Sequence, residues 1–238
     1  MDSAHKFSKS KIDQLGDRLR KGAIDEDDLR LLDAYRRSFA ESYEFVVDKI
    51  RQDLRLVPTG RPAKSTSSII DKLDRESIRL SQIQDIAGCR IVVSDLIEQD
   101  TVVAKLANLF ESISVVDRRT KSSHGYRAVH VVVSHSGKLI ELQIRTRLQH
   151  LWAELSEKLS DVVDSALKYG GGDTEKLTLL TLISEAIETL EDIEKDLTQL
   201  MIKDGIKKET QDLETRINKV RKIILELLAD LDPTSSEL

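Results

Sequence analysis

The stretch from residue 118 to residue 147 carries side chains whose types and spacing suit chemistry on a phosphate-rich ligand. Seven Lys and Arg residues accompany a single acid there, Glu141. The pattern predicts two strands joined by a turn at residues 134–137. Because alternate residues of a strand share a face, Glu141, Gln143 and Arg145 are expected to point the same way. A carboxylate, an amide and a guanidinium in one row suit a phosphate-rich ligand, and the carboxylate could bind a metal ion or accept a proton.

Two carboxylates are candidates for catalysis, and each also has a purely structural interpretation. Asp85 comes just before a predicted strand at residues 90–94, where it either closes an Asx-turn or binds a magnesium ion. Magnesium usually takes one or two protein carboxylates together with phosphate oxygens. Glu141 could equally lie on the hydrated face of a half-buried strand, which is the interpretation that periodicity alone favours.

Four basic residues lie nearby on a helix predicted at residues 63–80. Its buried stripe is marked by Ile69, Leu73 and Leu80, and its basic residues are Lys64, Lys72, Arg75 and Arg79. Lys72 and Arg79 are seven positions apart and therefore lie nearly on one face. A hydrated helix surface is the commoner meaning of such residues when nothing else is known.

The composition predicts a soluble chain with a basic middle. Of its 238 residues, 39% are apolar and 33% are charged, with a formal net charge of −5. Residues 58–169 carry 16 basic and 14 acidic side chains, whereas residues 173–238 carry 9 and 16, so an anion is expected to bind in the middle. Aromatic residues make up only 4%, which argues against a surface that stacks many bases.

One cysteine, Cys89, excludes an internal disulfide and fits a reducing cytoplasm. No apolar run approaches the roughly 18 residues of a membrane helix, and no signal peptide opens the sequence, so a cytoplasmic protein without membrane contact is expected. A zinc site is not expected, because the histidines lack Cys or acid partners at ligand spacing. His130 and His150 are instead expected to form core or supporting hydrogen bonds.

Three segments are predicted. These are N-terminal helices at residues 1–57, an α+β domain with a mixed sheet at 58–169, and C-terminal amphipathic helices at 173–238. In the first segment, Asp25 is expected to cap one long helix that runs to Leu54. In the second, helices at 95–111 and 146–169 and a strand at 113–116 accompany the strands already described.

The last segment follows three glycines and has apolar residues every three or four positions, in two runs separated near residues 203–205. An antiparallel helical hairpin is expected. Each helix would present one row of apolar residues, here called a seam, and each seam must be buried against another surface. Either both helices fold back on the chain's own central domain, or one seam packs there and the other meets a second copy of the chain or a regulatory or neutralising (antitoxin) partner; the second arrangement is the one expected.

Four motifs occur in order between residues 61 and 146: RPAKSTSSIIDKL, DIAGCRIVV, HGYRAVH and ELQIRT. Together they resemble the synthetase domain of the RelA/SpoT alarmone family, and the chain looks most like its small, stand-alone members. The resemblance implies a nucleotidyltransferase-like fold and a pyrophosphokinase that uses Mg²⁺. Such an enzyme moves the β,γ-diphosphate of ATP to the 3′-hydroxyl of GDP or GTP and releases AMP.

The resemblance also implies a role for each matching residue. Asp85 would hold magnesium, and Glu141 would share that ion or take the proton from the attacking hydroxyl. ATP would be bound by basic residues of the first two motifs, namely Arg61, Lys64, Lys72, Arg75 and Arg90. The acceptor would be bound by Lys121, His124, Tyr126, Gln143 and Arg145, with Tyr126 stacking on its base.

This sequence departs from the family pattern at three places. Two residues separate Arg61 from Lys64 where the family has Arg-x-Lys, so the role of Arg61 is less defined. His124 stands where an Asn commonly precedes the Gly-Tyr pair. Glu157 stands near the position of a histidine that helps to hold the acceptor's 5′-phosphates, and a carboxylate there should repel a diphosphate.

Glu157 does not affect the predicted type of reaction, but it leaves more than one acceptor to consider. A guanosine nucleotide is the acceptor that the resemblance implies. An adenosine nucleotide or the 3′ end of tRNA, as used by toxic small members of the family, is the alternative that Glu157 favours. A catalytically inactive, nucleotide-binding regulator is a third hypothesis, which the presence of both Asp85 and Glu141 disfavours.

Overall fold

A computed structural model describes residues 7–120, 122–162, 167–204 and 208–230. Its strands are β1 (Thr59–Arg61), β2 (Ala87–Val93), β3 (Ile113–Asp117), β4 (Val129–His135) and β5 (Lys138–Thr146). They form one mixed sheet in the order β1-β2-β5-β4-β3. The α-helices that it describes are α1 (Lys9–Arg20), α2 (Glu26–Arg37), α3 (Ala40–Lys49), α4 (Thr66–Arg75), α5 (Leu96–Leu109), α6 (Arg147–Val162), α7 (Thr174–Asp204) and α8 (Lys208–Asp230). The predicted α+β class is confirmed.

The described residues form two compact units, neither of which is continuous in sequence. The first takes its residues from Met1–Ile91, Leu106–Val115 and Val131–Gln143, and the second from Val92–Lys105, Val116–His130 and Ile144–Leu238. Among the residues that the structure describes, no helix combines the length and the apolar character that crossing a bilayer requires.

The expectation of one long helix after Asp25 is wrong, although Asp25 does cap α2. That helix ends at Arg37, because the Ser38 hydroxyl bonds back to the Tyr35 carbonyl and competes with the helical hydrogen bonds. A second helix, α3, follows, and a π-helical turn at Ile50–Leu54 completes the segment.

Lys138 ties the start of β5 to the N-terminal helices within the first unit. Its Nζ lies 4.5 Å from the ring centroid of Phe39, 5.1 Å from that of Tyr35 and 5.4 Å from that of Phe7. It also donates a hydrogen bond to Ser38 Oγ at 2.8 Å. Burial lowers the pKa of the Lys138 ammonium group, which nevertheless finds compensation in three aromatic faces and one acceptor.

Replacing Lys138 with Met should lower the free energy of unfolding by about 1–2 kcal/mol, because methionine keeps the aliphatic volume but loses the cation–π contacts and the hydrogen bond. Urea denaturation measures the change. Lys105→Met, at an exposed lysine of α5, is the matched control and should leave the midpoint where it is. An unaltered midpoint in Lys138→Met would show that packing of the rings alone holds this junction.

The helix predicted at residues 63–80 is shorter in the structure. Its regular part is α4, which begins after the cap residue Ser65 and ends where Glu76 adopts an extended backbone. Leu80 instead begins a separate 3₁₀ turn, Leu80–Gln82. Ile69 and Leu73 are buried, as predicted. The predicted burial is therefore correct, but the helix is too long in the prediction, because the third apolar residue, Leu80, belongs to the 3₁₀ turn.

The hairpin of β4 and β5 confirms the predicted strand pair, with Ser136 and Gly137 forming the tight turn between them. Along β5, Ile140, Leu142 and Ile144 are buried while Glu141 and Gln143 are half-buried, as the alternation predicts. Arg145 departs from that pattern, because it is buried like its apolar neighbours. On β2, Cys89 is buried, and this burial raises the pKa of its thiol to about 12.

Helices α6, α7 and α8 share an apolar cluster within the second unit. Its buried members include Leu148, Trp152 and Leu155 of α6, Leu180, Ile187, Leu190 and Leu197 of α7, and Ile217, Ile224 and Leu228 of α8. Arg221 of α8 pairs with Glu194 of α7, which supports the expected helical hairpin. One seam of the hairpin therefore packs on the chain itself, as predicted.

The helix expected at residues 146–169 is also shorter. Helix α6 ends at Val162, and a 3₁₀ turn at Leu167–Tyr169 follows residues that lie outside the described part. The separator expected near residues 203–205 falls partly inside α7, which runs to Asp204, while residue 205 lies outside the described residues.

Candidate functional site

A lysine–aspartate cluster in the first unit consists of Lys64, Lys72 and Asp85. The Lys64 ammonium lies 2.8 Å from Asp85 Oδ2, and the Lys72 ammonium lies 2.9 Å from Asp85 Oδ1. The three side chains are only 16%, 20% and 18% exposed, respectively. Two cations therefore face one anion in a poorly hydrated place, which leaves a positive surplus available for a negatively charged ligand.

Backbone pairing brings Lys64 to Asp85. Strands β1 and β2 are antiparallel with Arg61 opposite Gly88, so the chain leaving β1 meets the chain about to enter β2. The Lys64 backbone N–H accordingly donates to the Ile86 carbonyl at 2.6 Å. Directly afterwards the chain enters α4, which carries Lys72 to the same carboxylate.

The charge state of Asp85 follows from opposing effects. Burial raises its pKa, but the charges of Lys64 and Lys72 and the hydrogen bonds that they donate outweigh burial and bring the pKa to about 2. Asp85 is therefore ionised at neutral pH. An ionised carboxylate is the form that a hard cation such as magnesium requires.

Glu141 lies beside the first part of β2. A β-carbon added at Gly88 would lie 2.7 Å from the Glu141 carbonyl oxygen, so glycine permits this close approach of β2 and β5. Gln143 Nε2 donates a hydrogen bond of 2.9 Å to Glu141 Oε2. Two of the three residues predicted to share a face of β5 are thus in contact, and the amide orients the carboxylate.

The remaining residues predicted to bind ATP lie on three elements of the first unit. Arg61 is exposed on β1, and Arg90 is half-buried on β2 opposite Thr59. Arg75, near the end of α4, lies 3.3 Å from Glu76 in an ion pair at the surface. The structure therefore brings Lys64 and Lys72 to Asp85 directly.

A tyrosine cluster in the second unit consists of Tyr126, His130 and Arg145. The Arg145 guanidinium lies 5.0 Å from the ring centroid of Tyr126, and its Nη2 donates to the Tyr126 hydroxyl at 3.0 Å. A hydrogen bond of 2.8 Å joins the same hydroxyl to His130 Nε2, which confirms the supporting role expected for His130. Arg145 is only 3% exposed, so its guanidinium supports the tyrosine ring from inside the protein.

Tyr126 follows a tight turn that begins at Ser123, whose carbonyl accepts the Tyr126 backbone N–H at 2.9 Å. His124 and Gly125 both have positive φ, at 53° and 84°. Asn and His are among the few side chains that adopt this left-handed conformation readily. The departure from Asn to His124 is therefore compatible with the turn that the motif requires.

Other basic residues of this stretch have structural partners or lie outside the described part. Arg119 pairs with Asp117 at 2.6 Å and with Asp100 at 2.7 Å, and the two acids raise its pKa against the opposing effect of burial. Lys121, predicted to bind the acceptor, lies outside the described residues. Glu157 is exposed on α6, where its charge meets solvent.

Sequence reasoning missed the contribution of α7 to this region. The Ser184 hydroxyl donates a hydrogen bond of 2.6 Å to the Gly125 carbonyl, 59 positions away in the sequence. Nothing local in the sequence marks Ser184, because the period of α7 identifies its apolar residues and not the polar ones between them. The described residues contain no group of three or more His, Cys, Asp or Glu side chains arranged to hold a metal ion by themselves.

Sequence comparison identifies known relatives of the chain. A family model described as a region found in RelA / SpoT proteins matches residues 60–160. The chain is 35% identical over 150 residues to the GTP pyrophosphokinase YjbM of Bacillus subtilis, which covers 56% of this chain and 67% of that protein. It is 39% identical over 118 residues to an uncharacterized protein of Mycobacterium tuberculosis, covering 48% of this chain and 43% of the other. The matched part is thus less than half the length of the mycobacterial relative.

Solved structures show a similar fold. The small alarmone synthetase 1 from Bacillus subtilis is 28% identical with a TM-score of 0.55, and the match covers 75% of this chain and all (100%) of that one. A structure of the same synthetase bound to its product pppGpp gives 27% identity and a TM-score of 0.50, covering 66% of this chain and 93% of that one.

Proposed function

The chain belongs to the RelA/SpoT family, and on that premise we propose that it is a pyrophosphokinase. It transfers the β,γ-diphosphate of ATP to the 3′-hydroxyl of GDP or GTP, forming a 3′-diphosphate and AMP. The observation that carries the proposal is the lysine–aspartate cluster, since two lysines and an ionised carboxylate are what a metal–triphosphate complex needs. Relatives named GTP pyrophosphokinase and a structural neighbour that binds pppGpp support it.

On the donor side, the lysines exchange partners when ATP binds. Lys64 and Lys72 turn from Asp85 to phosphate oxygens, and Asp85 is the residue that would hold Mg²⁺. The donor set fits this ion, which takes oxygen ligands and usually needs only one or two carboxylates beside the phosphates. When bound, magnesium neutralises charge on the β- and γ-phosphates. Ser65 caps α4 directly after Lys64. Because the N-terminus of a helix favours anions, we assign this helix end to the same phosphates.

Glu141 is the second catalytic carboxylate. The acceptor's 3′-oxygen attacks the β-phosphorus of ATP, the bond from that phosphorus to the oxygen bridging it to the α-phosphate breaks, and AMP leaves. Glu141 either accepts the proton of the attacking hydroxyl or shares the metal with Asp85. Gln143, whose amide donates to Glu141, limits the orientations that the carboxylate can take.

On the acceptor side, Tyr126 stacks on the base. Its hydroxyl is fixed by His130 and Arg145, and one ring face is covered by the Arg145 guanidinium, so the ring is held in place before the ligand arrives. The further residues that we assign to the acceptor are His124, Gln143 and, outside the described part of the chain, Lys121. Arg145, being buried, acts through Tyr126.

Transfer of a radioactive label tests the proposal. The protein is incubated with Mg²⁺ and ATP labelled in the γ-phosphate, together with GDP, GTP, ATP or bulk tRNA in separate reactions. Label on GDP or GTP with release of AMP is the expected result, and removing magnesium with EDTA should stop it. Label on tRNA or on an adenosine nucleotide would establish the alternative that the exposed carboxylate of Glu157 favours. Bound ATP without any transfer would identify an inactive regulator.

The outer seam of the α7–α8 hairpin is proposed to meet a second copy of the chain or a regulatory protein. Large apolar side chains remain exposed on both helices, among them Leu182, Ile193 and Leu200 of α7 and Val220, Ile223 and Leu227 of α8. Full burial of each of these side chains by a partner would contribute about 1.5–3 kcal/mol of stabilisation relative to its exposure to water. The acidic surplus of residues 173–238 suits a basic partner.

Light scattering of the full chain at micromolar concentration decides whether the hairpin associates with itself. We expect a mass above that of the monomer, and we expect Leu182→Gln combined with Ile223→Gln to return it to the monomer while the thermal midpoint is kept. Deleting the hairpin is a poorer test, because its inner seam belongs to the core. A monomeric full chain would contradict self-association and leave a regulatory protein as the partner to seek.

A further inference from the structure

One face of α7 bonds to the residues around the tyrosine cluster. Ser184, Glu188 and Glu191 are four and three positions apart and therefore lie on the same side of the helix. The Ser184 hydroxyl donates to the Gly125 carbonyl at 2.6 Å, and a Glu188 carboxylate oxygen lies 2.7 Å from Arg127 Nη1. These two contacts flank Tyr126 in the sequence.

The third contact of this face lies at the end of β5. The Thr146 hydroxyl donates a hydrogen bond to the Glu191 carboxylate, and Gln149 Nε2 donates to its other oxygen at 2.9 Å. Burial raises the pKa of Glu191, while these two hydrogen bonds and the charge of Arg127 oppose the rise. Thr146 directly follows Arg145, so this contact fixes the strand that brings the guanidinium to the Tyr126 ring.

The turn before Tyr126 sits directly on α6 and α7. A β-carbon added at Gly125 would lie 2.7 Å from Trp152 Cζ2 and 3.2 Å from Ser184 Cβ. Trp152 is itself held, because its indole N–H donates to the Leu180 carbonyl of α7 at 2.8 Å. The turn can therefore neither shift toward the helices nor rotate its Gly125 carbonyl without breaking the bond from Ser184.

Ser184 and Glu191 are polar residues at buried positions of α7, which indicates a role other than packing. Ser184 is 4% exposed and Glu191 is 3% exposed, and a helix needed only for packing would carry apolar residues there, as it does at Leu180 and Ile187. A buried hydroxyl or carboxyl stabilises the fold only when its partners are in place. The face of α7 therefore holds one arrangement of the turn and selects against others, including those in which His124 relaxes from its left-handed conformation.

We propose that Ser184 is a positioning residue for the nucleotide acceptor: its hydrogen bond to the Gly125 carbonyl, together with the Glu188–Arg127 ion pair, holds the turn that presents Tyr126 to the acceptor base. The inference rests on the proposed function, in which Tyr126 stacks on that base. It makes the C-terminal helix α7 part of acceptor recognition, although none of the four motifs lies on it.

The test compares Ser184→Ala with Thr181→Ala. The second variant deletes a hydroxyl three residues earlier on α7, and that hydroxyl donates to the Leu177 carbonyl of the same helix. Loss of the Ser184 hydrogen bond should raise KM for GDP or GTP about fivefold, with kcat and KM for ATP changed less than about twofold. Thr181→Ala should leave all three unaltered. Hydrogen exchange should become faster at the backbone amides of residues 123–127 in Ser184→Ala alone.

Unaltered acceptor KM and unaltered exchange in Ser184→Ala would overturn the inference, as would equal losses in every kinetic constant accompanied by faster exchange throughout the chain. If Ser184→Ala does not fold, Glu188→Gln takes its place, with the exposed Glu185→Gln on the same helix as control. A wild-type protein that transfers nothing to guanosine nucleotides would sink the proposed function instead. The exchange measurement would still decide whether Ser184 holds the turn.

Discussion

Replacing Asp85 with Asn should slow diphosphate transfer about 100-fold or more without weakening the binding of ATP in the absence of metal. Electrostatic groups aimed at charge that develops in a transition state commonly contribute 10²-fold or more. Asparagine keeps the shape of the side chain but removes the charge that would hold magnesium. It also releases Lys64 and Lys72 from their ion pairs, so both remain available to phosphates. Glu141→Gln should cause a loss of transfer of the same order.

Transfer rates with magnesium and ATP affinities with EDTA separate these effects. Asp74→Asn, at an exposed acid of α4, is the matched control and should behave like the wild type in both measurements. The thermal midpoint must also be recorded, since Asp85→Asn leaves two poorly exposed lysines without their counterion. Near-normal turnover in either Asp85→Asn or Glu141→Gln would overturn the assignment of that residue.

Replacing Tyr126 with Ala should weaken acceptor binding about 10-fold to 100-fold, because stacking of a base on an aromatic side chain contributes about 1–3 kcal/mol. ATP binding should change little, since the lysine–aspartate cluster lies in the other compact unit. Calorimetry with GDP or GTP in the presence of a non-hydrolysable ATP analogue measures the acceptor affinity directly.

Tyr126→Phe is the informative control for this experiment. It keeps the ring but removes the hydroxyl that His130 and Arg145 hold, so it should lose less acceptor affinity than the alanine variant. Equal losses in the two variants would assign the effect to the hydroxyl network and not to stacking. An acceptor affinity that is unaltered in Tyr126→Ala would exclude this ring as the platform.

Patterns within single elements made much of the fold predictable. Alternation along β5 predicted the burial of Ile140, Leu142 and Ile144 but not that of Arg145, and the Ser-His-Ser-Gly sequence placed the hairpin turn to within two residues. The residues at which helices end were harder to predict from the sequence. The break after Arg37 depends on a hydrogen bond from the Ser38 hydroxyl, which also accepts from Lys138, 100 positions away. No local propensity could have shown that contact.

The candidate site shows the same division. Motif order identified Asp85, Lys64 and Lys72, but their meeting depends on the register of the three-residue strand β1, which the sequence patterns did not predict. The role of α7 could not be predicted at all, because Ser184 becomes meaningful only when the chain folds back onto the turn before Tyr126. Each compact unit likewise combines segments that are far apart in the sequence, which local patterns do not reveal.

The burial of Cys89 makes this protein convenient for fluorescent labelling. With a pKa of about 12 and 5% exposure, about one Cys89 side chain in 10⁵ is a thiolate at pH 7, so maleimide dyes should leave it unmodified. A cysteine introduced at an exposed position of α8, such as Val220→Cys, would then be the single reactive thiol. A dye at that place would change its brightness or rotational freedom when a partner covers the hairpin, and the chain's own cysteine would not need to be removed first.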